Sequence, residues 1–245
     1  MITDTLTILR KEWLEFRDQL LRLRRGGISL IVIVLLLGVL TPLQFGPDWL
    51  GSWIVMFYFP TLASSMASAL IVDAIAGERE RQTLESLLAS RLPDSAILFG
   101  KMLAALSYGS AFVAVNALVA CLTLNIAHPD KAPLFFQARF GTLLAILTLA
   151  ACLAQTGIGV FISLRSKTVR QAQQTFGIIM LVIFLAPALV FQLLPPERRF
   201  SIIATVRGWG MEQIALLAAL VLGSIGISAA MFAWARFRRG KLALD

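Results

Sequence analysis

The stretch GERERQTLESLLASRLPDSAILFGK, residues 77–101, is a mixed-charge segment inside a chain that is 58% hydrophobic with a mean hydropathy of +0.81. It holds Glu78, Glu80, Glu85 and Asp94 beside Arg79, Arg81, Arg91 and Lys101. Its meaning depends on what flanks it. Six apolar runs of roughly 20 residues, at 26–45, 51–72, 102–127, 140–164, 175–194 and 211–235, are each long enough to cross a hydrocarbon layer about 30 Å thick. The expected fold is an all-α integral membrane protein with six transmembrane helices, and the charged segment connects spans two and three.

The formal net charge is +8 and the pI about 10.3. In a membrane protein the location of the bases matters more than their sum. Of the 22 lysines and arginines, all but Lys131, Arg139, Arg198, Arg199 and Arg207 fall in residues 1–27, 73–101, 165–173 and 236–245. Those four segments share one side if the spans alternate. The positive-inside rule then places both termini in the cytoplasm of a multi-pass protein of the plasma (inner) membrane. The basic excess is thereby a topology signal, and no nucleic-acid partner is expected. Cys121 and Cys152 sit within apolar spans, where a thiol behaves as a small hydrophobe, and no His or acid accompanies them at metal-ligand spacing.

Three divisions follow along the chain. Residues 1–27 form a cytoplasmic interfacial helix, residues 28–235 a six-helix transmembrane domain, and residues 236–245 a cytoplasmic tail. In the first, Leu6, Leu9, Trp13, Phe16, Leu20 and Leu23 recur at three- and four-residue steps, so one face should lie against acyl chains while the charged residues cover the rest. The external loop 195–210 mixes apolar residues with arginines and suits one or two short helices at the outer interface. The spans carry no Asp, Glu, Lys or Arg away from their ends, which argues against an ion-coupled transporter. Their interior polar residues are Ser64, Ser65 and Ser68 in span two, Asn116 in span three, and Gln155 and Thr156 in span four. Two readings stand for these: interhelical hydrogen bonds, or the lining of a path or dimer seam.

The charged segment is a coupling loop, 73–101, with a helix expected over residues 78–90. Leu84, Leu87 and Leu88 share a face, Glu78 can meet Arg81 three residues on, and Pro93 stops the helix. An apolar ridge with charges of both signs fits a surface presented to another protein. A helix that only supports the fold at the interface is the competing reading. The pattern Glu78-x-Glu80-x-x-Thr83-Leu84-Glu85-x-Leu87-Leu88, followed by Pro93, Ser95 and the Gly100-Lys101 pair, resembles the cytoplasmic loop of type-2 ABC transporter permeases. The likeness extends over the chain: an N-terminal interfacial helix with the Lys11-Glu12 pair, six spans, and a longer external segment before span six. Gln82 departs from it, standing where that class commonly has glycine before threonine.

The resemblance implies a permease subunit of an ATP-driven exporter, with the loop acting as a coupling helix seated on a separate ATP-binding subunit. Glu78, Arg79, Glu80, Arg81, Thr83, Leu84 and Glu85, with Glu12 and Trp13 of the N-terminal helix, are then the candidate coupling residues. It also implies two ATP-binding subunits and a second permease copy or related permease, embedded in membrane lipid. The chain has no G-x-x-x-x-G-K-[ST] stretch, since Gly100-Lys101 is followed by Met102. No catalytic residue, cofactor or metal is therefore expected on this chain; ATP and Mg belong to the partner. An apolar, weakly polar interior suits a lipid, a drug-like amphiphile or a hydrophobic peptide better than an ion. The alternative from another class is a non-transporting membrane anchor or scaffold for a cytoplasmic ATPase complex.

Overall fold

A computed structural model describes residues 2–21, 25–83 and 92–236. Every regular element among them is helical. The N-terminal helix α1 (Ile2–Leu21) is followed by α2 (Arg25–Leu35), which runs through a π turn (Leu36–Leu40) into α3 (Thr41–Phe45). A short 3-10 turn (Pro47–Gly51) leads to α4 (Trp53–Val72), whose first turn is capped by the Ser52 hydroxyl accepting from Val55 N. A second π turn (Asp73–Gly77) joins α4 to the single-turn α5 (Glu78–Glu80), making one helix of 28 residues. The remaining helices are α6 (Asp94–Ala127), α7 (Ala138–Ser163), α8 (Val169–Leu193), α9 (Pro196–Arg207) and α10 (Met211–Arg236).

Five of these, the α4–α5 helix, α6, α7, α8 and α10, are long and apolar enough to cross a membrane, and the first apolar run gives a shorter helix, Leu30–Phe45. α9 is the one short helix of the loop expected at 195–210. α6 and α8 begin well before the apolar runs that predicted them, so their first turns carry polar residues such as Asp94, Lys101 and Gln171.

One expectation is corrected. The helix foreseen over residues 78–90 does not start there: Glu78–Glu80 is the end of the span-two helix, and the chain then turns at Arg81 and Gln82. Gln82 takes φ +57, the left-handed region, which explains why a glycine suits that position. Leu84, Glu85, Leu87 and Leu88 lie outside the described residues, as does most of the tail at 236–245.

The core sits between α4 and α7. Val55, Met56, Phe59, Ala63, Ala67 and Ile71 of α4 are buried against Leu147, Cys152 and Val160 of α7, with α6 and α10 packing at the sides. Small residues set the crossings. A Cβ on Gly226 of α10 would stand 2.7 Å from Ala154 N and 2.8 Å from Leu153 C of α7, and one on Gly157 would meet Gly226 O at 3.0 Å. A Cβ on Gly109 of α6 would approach Ala63 O to 2.5 Å. Both faces of each crossing belong to this chain, so these glycines are used for packing within one subunit. Gly223, three residues from Gly226, has nothing within 4 Å of its would-be Cβ.

The helix α8 is the exception. It touches α7, α4 and the second π turn through its first turns only, where Ala172 is buried and Val169, Phe176 and Ile179 pack on the core. Beyond Ile179 no described residue of α8 is buried, and Leu181, Val182, Leu189 and Val190 stand exposed.

Gly226→Ala should therefore lower stability by about 1–3 kcal/mol, because backbone atoms of α7 stand in the methyl's place. Gly223→Ala should be neutral or slightly stabilising in the same helix. Thermal unfolding of the two variants in one detergent checks the pair, and equal melting temperatures would refute the crossing.

Candidate functional site

The residues singled out in the charged segment converge with the N-terminal helix at one end of the bundle, around the side chain of Lys101. Its position seven residues into α6 carries it away from the loop and against both α1 and the second π turn. Gly100 makes the approach of α1 possible: a Cβ there would stand 2.7 Å from Ile8 Cβ and 3.1 Å from Thr5 O. Ile8 and Glu12, one turn apart, form the buried face of α1, while Leu6 and Leu14 are exposed and Trp13 is partly so. Of the face expected against acyl chains, Leu6 is exposed, Leu9 is half-buried and Trp13 meets α6. Phe16, Leu20 and Leu23 fall outside the side chains described.

Lys101 is 1% exposed, yet its ammonium is fully served. It donates to Glu12 Oε1 at 2.9 Å, to Glu78 Oε1 at 2.8 Å and to Ala74 O at 2.8 Å. A lysine has three donors, and here each meets an acceptor from a different part of the chain. The carbonyl comes from the π turn, where the helix ladder is locally rearranged. Lys11 joins from α1, 3.3 Å from Glu78 Oε1 and 3.3 Å from Glu15 Oε1. Burial pulls the Lys11 ammonium down, but Glu78, Glu15 and Glu12 outweigh it and hold its pKa above the ordinary lysine value. The two lysines thus meet three carboxylates, those of Glu12, Glu78 and Glu15. The expected pairing of Glu78 with Arg81 is replaced by this one; Arg81 instead lies 3.8 Å from Asp73.

The next two residues reach the other side of the bundle. Arg79 Nη1 donates to Leu164 O at 2.9 Å and to Ser166 O at 3.4 Å, where α7 ends. Glu80 Oε2 accepts from Val169 N at 2.9 Å, where α8 begins. Each sign matches the helix end it meets, a cation at unpaired carbonyls and an anion at an unpaired N–H. Trp13 Nε1 donates to Ser107 Oγ at 2.9 Å and its ring sits edge-on to Tyr108, 6.2 Å between centroids, which ties α1 to α6 a second time.

Of the sequence candidates, Glu12, Trp13, Glu78, Arg79 and Glu80 are thus brought together by contacts within the chain. Arg81 and Thr83 are exposed, and Leu84 and Glu85 lie outside the described residues. Lys101 and Ile8 were missed as site residues. The Gly100-Lys101 pair was visible, but a lone lysine beside an apolar run reads as an interfacial anchor. The interior polar residues are dispersed. Ser64, Ser68, Asn116 and Thr156 are buried, Gln155 is half-buried and Ser65 exposed. The serines donate to Thr61 O, Leu62 O and Ser65 O, and Asn116 Nδ2 to Phe112 O, all on their own helices. Asn116 Oδ1, Gln155 Oε1 and Thr156 Oγ1 are buried with no partner among the described residues.

The fold and this charged end define a class: a polytopic helical membrane protein whose N-terminal helix and first internal loop are locked together by ion pairs at one end of its bundle. Residues 50–209 match the sequence model of the ABC-2 family transporter proteins, which is more than half of the chain. The chain belongs to that family, as an ABC-2 type permease. It is also 31% identical over 127 residues to the ABC transporter permease protein NatB of Bacillus subtilis (strain 168), a stretch covering 49% of this chain and 32% of that relative. The matched stretch thus spans about a third of the relative's length.

Lys101→Met should cost about 3–5 kcal/mol, because it strands two carboxylates in a buried site. Adding Glu12→Gln to that variant should restore part of the loss, and melting curves of both proteins check the coupling. Gln82→Gly should be neutral or stabilising by about 1 kcal/mol, whereas Gln82→Val should destabilise by about 1–2 kcal/mol, since a β-branched residue resists φ +57.

Proposed function

We propose that this chain is the membrane-spanning permease subunit of an ATP-driven exporter, with six spans, both termini in the cytoplasm of the plasma (inner) membrane, and α1 lying in the cytoplasmic interface. Two ATP-binding subunits supply hydrolysis, and a second permease copy or related permease completes the conduit. Family membership supports the transport role. The observation that carries the coupling role is the tripeptide Glu78–Glu80. It ends a 28-residue span helix and holds α1 and α6, the end of α7 and the start of α8.

The division of labour follows from exposure and bonding. Arg81 and Thr83 are exposed and, with Leu84 and Glu85 next in sequence, make the docking contact with the ATP-binding subunit. Glu12, Glu78, Arg79 and Glu80 are bonded to other helices of the chain and pass its movement to them. Closure of the ATP-binding subunits on nucleotide displaces the seated loop as a rigid body, and the ion-paired tripeptide moves with it. The unpartnered polar atoms of Asn116, Gln155 and Thr156, in an otherwise apolar interior, support a weakly polar path suited to a lipid, amphiphile or hydrophobic peptide.

Purification from native membranes in mild detergent tests the reading. A P-loop ATPase should accompany the wild-type chain in stoichiometric amount. An Arg81→Ala, Thr83→Ala, Glu85→Ala variant should lose it, or keep it with ATP hydrolysis no longer tied to substrate movement. A folded chain with no ATPase partner would sink the exporter reading, and a partner without any substrate movement would favour the anchor.

A further inference from the structure

We propose that Glu80 is a positioning residue for transport: it grips the N-terminus of α8 and makes that helix the element that the charged tripeptide moves. This rests on the permease reading of the chain.

The start of α8 is capped from within at two of its positions. Thr168 Oγ1 accepts from Gln171 N at 3.2 Å, and Gln171 Oε1 accepts from Lys167 N at 3.1 Å. Those bonds leave Val169 N, the first helical N–H, for a group from elsewhere, and Glu80 reaches it from 89 residues away at 2.9 Å. An anion at that place is favoured by the helix dipole as well as by the bond. A methyl on Gly77, in the π turn just before Glu78, would stand 3.5 Å from Val169 Cγ2, so the turn and the start of α8 already lie side by side.

The neighbouring contacts decide what moves. Arg79 holds the carbonyl end of α7, but α7 is wedged between α4 and α10 along its length and has little freedom. Among the described residues α8 packs on the core through its first turns, and beyond Ile179 none of them is buried. A pull at Glu80 therefore meets high resistance through Arg79 and low resistance at Val169. A helix of 25 residues is about 37 Å long, so a tilt of about 10° at its gripped end carries the far end by about 6 Å. Small displacement of the tripeptide becomes large displacement of one span.

Two measurements on the intact complex in nanodiscs test this. The first is hydrogen exchange without nucleotide in Glu80→Ala. Amides at the start of α8 should exchange roughly tenfold faster, while those at the end of α7 hold their wild-type rate. The second uses a fluorine label on Leu189→Cys, exposed near the far end of α8, in a Cys121→Ser, Cys152→Ser background. Its signal should shift between the nucleotide-free and ATP-vanadate states in the otherwise wild-type chain and stay fixed in Glu80→Ala. Glu80→Gln keeps an acceptor of the same reach without the charge; it should give an intermediate shift, and it replaces the alanine variant if that one does not assemble. A label that shifts equally with and without Glu80 overturns the role given to this residue and leaves the permease reading standing. A label silent to nucleotide in the wild type overturns the permease reading and the transmission with it, even where the exchange rates respond as expected.

Discussion

The ammonium of Lys101 is the point on which the charged end of this protein is organised. Removing a lysine from water costs several kcal/mol, and the cost is met only where every donor finds an acceptor and the charge finds its opposite. Here the acceptors come from α1, from the π turn and from α5. None of the three segments can shift alone without leaving a buried charge underserved. The glycine preceding this lysine lets α1 come within backbone distance of α6, so one dipeptide supplies both the gap and the bond that fills it.

From that anchored point the tripeptide extends in two directions by helix-end electrostatics. The alternation of acid, base and acid in Glu78, Arg79 and Glu80 would be ordinary on a solvated helix. Its sense lies in the three targets. The first acid completes the lysine cluster, the base meets the carbonyl end of one helix, and the second acid meets the amide end of the next. Reversing any one sign would set like against like at its target, so the order of charges is prescribed by the order of helix ends around the bundle.

The membrane-spanning pattern was legible in the sequence because runs of some twenty apolar residues have few other uses. The short helix α9 was legible for similar local reasons. The inward bonds of the charged segment were not legible, since most of them join residues 67 to 89 positions apart that share no periodicity. The protein-facing side of α1 was not legible for a related reason. Leucines at helical spacing mark an apolar face, but the face that packs on protein is chosen by Gly100 and Lys101 on another helix, and it selects Ile8 and Glu12. The break at Gln82 shows the same limit: a residue with no turn preference adopts a left-handed conformation because the bonds on its N-terminal side hold the helix end in place.

The π turn at Asp73–Gly77 gives this arrangement an angular setting. A π turn holds one residue more than an α turn, and each residue of a helix advances the next by about 100°. The extra residue thus sets the direction in which Glu78, Arg79 and Glu80 point relative to the face that α4 presents to the core. Winding the same residues as a regular helix would leave the apolar contacts of α4 intact and turn the charged triplet by about 100°, away from all three of its targets. In relatives of this chain, a segment one residue shorter between Val72 and Glu78 should accordingly form a regular helix in place of the π turn and keep the triplet's direction. The phase of one helical turn is a sequence constraint separate from the identity of the residues it aims.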